Sequence, residues 1–393
     1  MTDTSATNEQ ISRELVLPYL NHAVRMFESG YASATDIDNA MRFGCGYPQG
    51  PLATIDEIGV QQVRDELAAR FSESGDNLHK PADLLEKLAA EGTTFASGAA
   101  GADAEAPQLK HEITKVGVVG TGTMASGIVQ VFAQAGYDVV FVGRGEDKVA
   151  GVVAFIEKGL GRLVEKGKLD EDAKAAVLGR LTGSTSREDL ADVDLVVEAI
   201  AEDLEIKTQL FEDLDRIAKP TAILATTTSS MPITQLGEVT SRPESVIGMH
   251  FFNPATVMKL VEVVTTSATS ADVDQTVLAL CAKVKKVAVS CADRSGFIVN
   301  ALLFPYLNDA VKIVDEGRAD IDTIDAAIKE QAGFPMGPFQ LLDVVGNDVS
   351  LAIQQELHAE FKEPGFAPAA GLEKVVAEGN LGRKTGKGFH AYN

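Results

Sequence analysis

A glycine-rich turn between two apolar segments constrains the fold of this chain more than any other feature. Residues 115–120 read KVGVVG, residues 121–136 read TGTMASGIVQVFAQAG, and residues 137–143 read YDVVFVG. This order of strand, turn, helix and strand is typical of a doubly wound βαβ unit. Further buried strands are predicted at 195–200, 222–228, 246–252 and 259–266. We therefore predict an α/β fold with a Rossmann-like doubly wound sheet in the middle of the chain.

The turn itself has the pattern of a dinucleotide-binding site. Gly120 and Gly122 are followed by Thr123, Met124 and Ala125, which makes a GxGxxA variant that opens a helix. The first glycine permits the tight turn, and the second lets the backbone approach a pyrophosphate. The helix N-terminus then stabilises the negative charge. We predict that NAD or NADP binds here.

The end of the second strand indicates which of the two cofactors is preferred. NAD sites usually carry Asp or Glu there, which accepts hydrogen bonds from the adenosine ribose. This chain has Gly143 and then Arg144. An arginine in that place can pair with a 2′-phosphate, although it could also be a solvated surface residue. We predict NADP rather than NAD.

The two ends of the chain repeat each other. Residues 17–58 align without a gap to residues 304–345, and both copies contain a GxPxGP turn, at 46–51 and 333–338. Apolar residues at helical spacing predict a small helical domain in each copy. The sheet is therefore expected to be flanked by two homologous all-helical domains.

These patterns define five predicted segments. Residues 93–108 are rich in Ala, Gly and Thr and have no apolar period, as flexible linkers do. The predicted segments are a disordered tail (1–10), a first helical domain (11–92), a linker (93–112), the Rossmann domain (113–295) and a C-terminal helical domain (296–393).

Composition excludes several classes of partner and site. The net charge of -22 opposes binding to nucleic acid or to an anionic membrane surface. Cys45, Cys281 and Cys291 lack the spacing of a zinc site, so no metal is predicted. The polar, acidic first residues do not resemble a signal peptide, and no run of about 18 apolar residues follows. A cytoplasmic location is expected.

A histidine and a glutamate are the predicted chemical centre. His250 stands at the carboxyl end of a predicted strand, where α/β folds bind ligands. Twelve residues on, Glu262 lies among apolar residues in KLVEVV, and a buried carboxylate needs a partner. Oxidation of an alcohol needs a base for the hydroxyl proton, which a histidine oriented by a carboxylate supplies.

Seven ordered motifs across residues 114–393 extend this pattern to a known family. They are VGVVGTGTMASGI, VVEAIAEDLEIK, ILATTTSSMPIT, GMHFFNPATVMKLVEV, GFIVN, GFPMGPFQLLD and GRKTGKGF. Together they resemble the short-chain L-3-hydroxyacyl-CoA dehydrogenase, or 3-hydroxybutyryl-CoA dehydrogenase, family. The resemblance implies hydride transfer between NAD(P) and a (3S)-3-hydroxyacyl-CoA or its 3-ketoacyl-CoA, with a short acyl chain.

The resemblance also implies a role for particular residues. His250 would be the general acid and base, Glu262 would orient it, and Ser229 and Asn300 would hold the substrate oxygens. Other residues match positions that contact the cofactor or the CoA phosphates: Glu202, Lys207 and Thr227 for the cofactor, and Lys158 and Arg162 for CoA. The last two could equally belong to an ordinary solvated helix face.

Three positions depart from the family pattern. Thr227 stands where the family usually has Asn, and Ser295 where it usually has Pro. The third is Gly143, where the acid of an NAD site is missing. Dehydrogenase chemistry is expected to survive, whereas turnover and cofactor choice are placed in doubt.

The first helical copy is not expected to form an active site by itself. Arg13 aligns with Asn300, and the GRKTGKGF tail has no counterpart. The family usually dimerises through its C-terminal domain, so the first copy is predicted to pack on the C-terminal domain of its own chain. This pseudo-dimer favours a monomer, with a homodimer still possible.

Two other functions remain open from the sequence alone. One is a β-hydroxyacid dehydrogenase that acts on a sugar acid without CoA, although such enzymes normally lack HFFNP with a following Glu. The other is a catalytically idle binding or structural protein on the same fold. The presence of Ser229, His250, Glu262 and Asn300 speaks against the second.

Overall fold

The computed structural model describes residues 4–96 and 106–392, with the side chains of residues 4–7 excepted. The chain divides into two compact units. One unit comprises residues 1–103 together with 295–393, and the other comprises residues 104–294. The predicted linker lies across the first of these boundaries, and its residues 97–105 fall outside the described part of the chain.

The first helical copy consists of α-helices that range from 8 to 25 residues in length. They are α1 (Thr4–Glu28), α2 (Ala34–Cys45), α3 (Pro51–Ile58), α4 (Val60–Ser74) and α5 (Asp83–Glu91). Residues 4–10 belong to α1, which departs from the disordered tail predicted for residues 1–10. Helix formation propagates cheaply from a packed segment, and α1 is packed from Ile11 onwards. Residues 1–3 lie outside the described residues.

The second unit is an α/β sandwich around one sheet. Its strands are β1 (Lys115–Val119), β2 (Asp138–Val142), β3 (Leu181–Ser184), β4 (Leu195–Glu198), β5 (Ile223–Thr226), β6 (Val246–Phe251), β7 (Leu260–Thr265) and β8 (Val287–Ala292). Its helices are α6 (Thr123–Gln134), α7 (Glu146–Glu165), α8 (Glu171–Leu178), α9 (Leu204–Ile217), α10 (Ile233–Glu238) and α11 (Ala271–Lys283).

The strand order is β3-β2-β1-β4-β5-β6-β7-β8, and every neighbouring pair is parallel except β6 and β7. Strands β4, β5 and β6 are buried along their whole length, as near-continuous apolar runs in a doubly wound sheet should be. The predicted fold class is confirmed. Strands β6 and β7 run in opposite directions, and they carry His250 and Glu262, respectively.

The C-terminal helices reproduce the first copy. They are α12 (Val299–Asp315), α13 (Ile321–Ala327), α14 (Pro338–Val345), α15 (Asn347–Phe361) and α16 (Ala370–Ala377). Helices α13 to α16 begin 287 residues after α2 to α5, respectively. The repeat therefore extends well beyond residues 58 and 345, where the sequence alignment ends.

One capping contact explains the shared GxPxGP turn. The Asp38 carboxylate accepts hydrogen bonds from Leu52 N at 2.8 Å and Ala53 N at 3.1 Å, at the start of α3. Asp325 does the same for Phe339 N (2.9 Å) and Gln340 N (3.2 Å) at the start of α14. A Cβ on Gly50 or Gly337 would collide with these aspartates. Glycine is therefore required for the close approach, and the cap satisfies otherwise unpaired helix N–H groups.

The two copies pack against each other within their unit. Helix α1 contacts α12 and α13, and α2 contacts α12. Residues 287 positions apart meet directly: the Tyr19 and Tyr306 rings lie 6.1 Å apart, and Tyr47 stacks on Phe334 at 3.6 Å. Contact between equivalent residues is what a two-fold axis produces. The unit therefore has an internal pseudo-two-fold arrangement.

The described ends of the predicted linker are held by their own units. Phe95 N and Ala96 N each donate to the Asp56 carboxylate at 2.9 Å. Lys110 N donates to Thr276 Oγ1 at 3.0 Å. Among the helices of residues 4–96 and 106–392, none is long and apolar enough to cross a membrane.

Candidate active site

His250 and Glu262 are direct cross-strand neighbours on the antiparallel pair β6–β7. His250 Nδ1 and Glu262 Oε2 lie 2.7 Å apart. The glutamate is fully buried, and the histidine is 6% exposed. Because a buried carboxylate accepts hydrogen bonds, it favours the histidine tautomer with the proton on Nδ1. Nε2 is then the nitrogen that can exchange a proton with a substrate.

Ser229 lies at the other side of the imidazole. Its hydroxyl is 3.1 Å from His250 Nε2. It stands in the loop that follows β5, the parallel neighbour of β6, so both side chains emerge at the same edge of the sheet. The Phe252 ring contacts the imidazole edge-on, with centroids 4.7 Å apart. Serine, histidine and glutamate therefore form one hydrogen-bonded chain at the carboxyl ends of the strands.

The serine loop is held by Glu202. Its Oε1 accepts hydrogen bonds from Ser229 N at 2.7 Å and from Thr228 Oγ1 at 2.8 Å. Thr227 is half-buried just before them, and its N–H donates to Glu198 O at 3.0 Å. Beyond the loop, the Asp293 carboxylate caps α10 through Thr234 N at 2.8 Å. The loop is therefore fixed at both ends.

A buried lysine connects this loop to the sheet. The Lys207 ammonium lies 2.8 Å and 2.9 Å from the two Glu198 oxygens and 2.8 Å from Glu202 Oε2. Lys207 is 1% exposed and Glu198 is fully buried. Burial alone would raise the pKa of Glu202, but the charge and hydrogen bond of Lys207, together with the hydrogen bonds from Ser229 and Thr228, outweigh it and lower that pKa. Glu202 is thereby kept ionised as an acceptor for the serine loop.

Glu198 is a site residue that was not predicted from the sequence. Its Oε2 also accepts a hydrogen bond from Thr226 Oγ1 at 2.6 Å. The signal that could have found it is the one that identified Glu262, an acidic residue inside an apolar strand, here LVVE. Such a carboxylate requires a buried partner.

The loop that follows His250 is held by hydrogen bonds from Lys286. Lys286 Nζ donates to Met258 O at 2.6 Å and also to Ala255 O. Ala255 packs against α6, where a Cβ added to Gly127 would approach Ala255 Cβ to 3.1 Å. The short residues of the GTGTMASG segment therefore allow the dinucleotide helix and the histidine loop to approach closely.

The geometry of the glycine turn fits a dinucleotide. Gly120 has φ 134°, and a Cβ there would collide with the backbone carbonyl of Ala199. A Cβ on Gly122 would meet no atom within 4 Å, so the space in front of it is open. Thr123 and Met124 form the first turn of α6, whose N–H groups face that space. These residues can hold the pyrophosphate of a nicotinamide dinucleotide.

At the end of β2, Gly143 is buried and Arg144 is exposed. A Cβ on Gly143 would lie 2.5 Å from Thr121 Cγ2 and 3.1 Å from Val149 Cγ2. The absence of an acid at position 143 is therefore matched by Thr121, which fills the space that a side chain there would need. The φ angle of Gly143 is not positive, so its backbone conformation does not itself require glycine.

Lys158 and Arg162 lie one turn apart on α7, and both are exposed. Phe155, on the same helix, is 48% exposed. Lys158 and Arg162 therefore lie on one face of α7, as their spacing in the sequence predicts. Among the described residues, no group of three or more His, Cys, Asp or Glu side chains could hold a metal ion.

Asn300 belongs to the helical unit, in the first turn of α12, and is 9% exposed. Phe297, three residues earlier, is buried and has φ 45°, a strained conformation for a residue other than glycine. In the first copy, the equivalent Arg13 pairs with Glu66 at 2.7 Å. The two copies therefore differ in chemistry at this position.

Comparison with known proteins places the chain. Residues 115–294 match the 3-hydroxyacyl-CoA dehydrogenase NAD binding domain, and residues 11–102 and 296–392 both match the 3-hydroxyacyl-CoA dehydrogenase C-terminal domain. The chain belongs to the 3-hydroxyacyl-CoA dehydrogenase family. The predicted resemblance is confirmed, including the extra N-terminal copy of the C-terminal domain.

Individual relatives agree with this placement. The 3-hydroxybutyryl-CoA dehydrogenase of Clostridioides difficile is 44% identical over 71% of this chain and 99% of its own length. The probable 3-hydroxybutyryl-CoA dehydrogenase of Deinococcus radiodurans is 45% identical over 71% of this chain and its full length. The crystal structure of the (S)-3-hydroxybutyryl-CoA dehydrogenase from Ralstonia eutropha superimposes with a TM-score of 0.71 at 41% identity, over 72% of this chain and all of that one.

Proposed function

We propose that this protein interconverts (3S)-3-hydroxyacyl-CoA and 3-ketoacyl-CoA thioesters of short chain length, using a nicotinamide dinucleotide. The observation that carries this proposal is the hydrogen-bonded chain of Ser229, His250 and Glu262 at the carboxyl end of the sheet. Family membership at 44% identity to a 3-hydroxybutyryl-CoA dehydrogenase supports the choice of a C4 thioester.

In the oxidative direction, His250 Nε2 takes the proton of the substrate 3-hydroxyl. The imidazole becomes positively charged, and Glu262 offsets that charge across the 2.7 Å contact with Nδ1. Ser229 Oγ, 3.1 Å from Nε2, donates a hydrogen bond to the same substrate oxygen. The bound cofactor supplies the acceptor for the hydride that leaves C3. In reduction, the histidine returns its proton to the carbonyl oxygen.

Other residues are assigned to binding. Asn300 is proposed to hold a substrate oxygen, as its match to the family motif implies. Lys158 and Arg162 are proposed to pair with the CoA phosphates. Their exposure on α7 leaves both cations accessible to an anionic ligand. Glu202, Lys207 and Thr227 are proposed to line the cofactor site, where the network of Glu202 fixes the loop that carries Ser229.

Initial rates with acetoacetyl-CoA and with free acetoacetate test the proposal. The thioester should be reduced with kcat/KM about 10²-fold or more above that of the free acid, since CoA contacts contribute binding energy to the transition state. Comparable rates with a free hydroxy or keto acid would instead favour the CoA-independent β-hydroxyacid dehydrogenase. A protein inactive with every such substrate would be the idle member of the fold. A cytoplasmic location stays a prediction from the sequence.

We infer that NADP is the preferred cofactor. Gly143 leaves no carboxylate to repel a 2′-phosphate, and the exposed Arg144 follows directly. Thr121 occupies the space beside Gly143, so the packing around position 143 also disfavours an acid there. Steady-state kinetics that gave NAD the higher kcat/KM would contradict this inference.

A paired substitution should reverse the preference. Gly143→Asp alone is expected to weaken both cofactors, because its side chain meets Thr121 Cγ2. Combining it with Thr121→Ala makes room for the carboxylate, which can then bind the ribose hydroxyls. The NAD to NADP ratio of kcat/KM should rise about 10-fold or more in the double variant, relative to Thr121→Ala alone. An unchanged ratio, with the variant folded, would show that Gly143 does not determine cofactor choice.

We also propose that the first helical copy replaces the second subunit of a dimer. The stacked Tyr47–Phe334 pair and the Tyr19–Tyr306 contact support it, because both join equivalent residues as a two-fold interface does. Light scattering after size exclusion should give a mass near 41.6 kDa. A mass near twice that value would contradict the pseudo-dimeric monomer.

A further inference from the structure

Ser229, His250 and Glu262 also have the geometry of a nucleophilic serine with its base. The Ser229 hydroxyl lies 3.1 Å from His250 Nε2, and His250 Nδ1 lies 2.7 Å from Glu262 Oε2. A nucleophilic serine requires a base within about 2.6–3.2 Å of its hydroxyl and a third group that orients the base. Both contacts fall within this range. All three residues belong to residues 104–294, the unit that contains the sheet.

The serine hydroxyl is positioned to give its proton to the histidine. Glu262 is fully buried and accepts a hydrogen bond from Nδ1, so the lone pair of the neutral imidazole is on Nε2, next to Ser229. Glu202 holds the serine loop through Ser229 N at 2.7 Å. Ser229 itself is half-buried, so a ligand can reach its side chain. A nucleophile that is fixed in this way loses little entropy when a carbonyl carbon approaches it.

The oxygen at C3 of a substrate decides which reaction this arrangement can perform. In the proposed dehydrogenase reaction, that oxygen takes a hydrogen bond from Ser229 and exchanges a proton with His250 Nε2, so it comes between the two side chains. A thioester without an oxygen at C3 has no group to place there, and the 3.1 Å contact persists. The serine is then the group that the histidine can deprotonate. Lys158 and Arg162 are exposed and therefore accessible to the phosphates of either kind of CoA ester.

We propose that these three residues give the protein a second activity, the hydrolysis of short acyl-CoA thioesters that lack an oxygen at C3. The substrate class rests on the proposed function, which assigns CoA thioesters to this site. Ser229 Oγ bonds to the thioester carbonyl carbon while His250 Nε2 takes its proton, and Glu262 offsets the charge of the imidazolium. The carbon–sulfur bond then breaks, and the thiolate leaves with that proton as free CoA.

Water completes the reaction on the acyl-serine ester. Its oxygen bonds to the carbonyl carbon while His250 Nε2 takes one of its protons. The bond between Ser229 Oγ and that carbon then breaks, Oγ receives the proton from Nε2, and the carboxylic acid is released. The sum is one thioester and one water converted to one carboxylic acid and CoA, with no hydride transfer.

Release of CoA from butyryl-CoA tests the proposal in the full-length wild type, in Ser229→Ala and in the matched control Ser230→Ala, which changes the next serine of the same loop. No nicotinamide is added, and butyryl-CoA has no oxygen at C3, so dehydrogenation cannot contribute. Liquid chromatography follows the free CoA, because a thiol reagent would also react with the free cysteines of the chain. Release should be at least about 10²-fold slower in Ser229→Ala than in wild type. Ser230→Ala should keep the wild-type rate.

Two further measurements distinguish a nucleophile from a hydrogen-bond donor. After an acid quench, mass spectrometry should find one butyryl group on the wild-type protein, and peptide mapping should place it on Ser229. This measurement does not depend on whether a variant folds. Reduction of acetoacetyl-CoA should fall only about 10-fold in Ser229→Ala, because that reaction loses one hydrogen bond and keeps its base.

The outcomes separate this activity from the proposed function. A wild type that reduces acetoacetyl-CoA, but neither releases CoA from butyryl-CoA nor carries a butyryl group, would overturn the second activity and leave the proposed function intact. Release that persists in Ser229→Ala, or that falls equally in Ser230→Ala, would also overturn it, because Ser229 would then not be the nucleophile. Serine-dependent release by a protein that reduces no 3-ketoacyl-CoA would overturn the proposed function instead.

Discussion

His250→Gln is expected to lower kcat by about 10³-fold, because glutamine cannot exchange a proton with the substrate oxygen. Glu262→Gln should cost less, about 10²-fold, since the amide still accepts the Nδ1 hydrogen but no longer offsets the imidazolium charge. Both side chains are buried on paired strands. We therefore choose glutamine, whose length is close to that of the side chain it replaces in each variant. Stopped-flow and steady-state rates with acetoacetyl-CoA measure the effects.

A control separates chemistry from binding. The Kd for the reduced cofactor, followed by its fluorescence, should stay within about three-fold of wild type in both variants, because neither side chain belongs to the glycine turn. If His250→Gln retained the wild-type kcat, another group would have to be the acid and base. If Glu262→Gln lost far more than His250→Gln, the glutamate would have to act directly on the substrate.

Lys207→Met is expected to reduce the free energy of unfolding by roughly 3–5 kcal/mol. The substitution removes the counter-charge of Glu198, which is fully buried, and one of the partners of Glu202. An uncompensated buried carboxylate is costly, whereas removing both charges is much less so. Urea unfolding followed by circular dichroism gives the value. The serine loop should also lose order, and kcat should fall.

Two further proteins sharpen this prediction. The double variant Glu198→Gln/Lys207→Met should recover a substantial part of the lost stability, because no buried charge on Glu198 is left unpaired. Lys168→Met, at an exposed lysine of the same unit, should change stability by about 0.5 kcal/mol or less. Equal losses for Lys207→Met and Lys168→Met would show that the buried pair does not hold the loop.

The architecture was accessible from the sequence because its signals are local. The GxGxxA turn, the apolar strands and the two GxPxGP turns each report on their own segment, and all agree with the observed elements. Contacts across the sheet were less accessible. The sequence indicated that Glu262 needs a partner, but only the antiparallel register of β6 and β7 places it opposite His250. Register depends on long-range pairing, which a single strand does not encode.

Other features were missed because they depend on volume in three dimensions. The missing acid at Gly143 was visible in the sequence, but the Thr121 side chain that fills the space beside it was not, because a linear motif carries no distances. Glu198 was overlooked although it carries the same signal as Glu262. The gapless sequence alignment ends before α4 and α15 because these two helices share little sequence identity, whereas α5 and α16 again resemble each other. Helix geometry is retained where only the buried face is constrained.

The most direct measurement is the initial rate of oxidation of (3S)- and (3R)-3-hydroxybutyryl-CoA by the full-length protein with NADP. A single histidine fixed beside Ser229 reaches the hydroxyl from one side only, so one stereoisomer should react. We expect turnover of the (3S) thioester to be at least about 10²-fold faster than that of the (3R) thioester. Equal rates for the two isomers, preference for (3R), or no oxidation of either would contradict it.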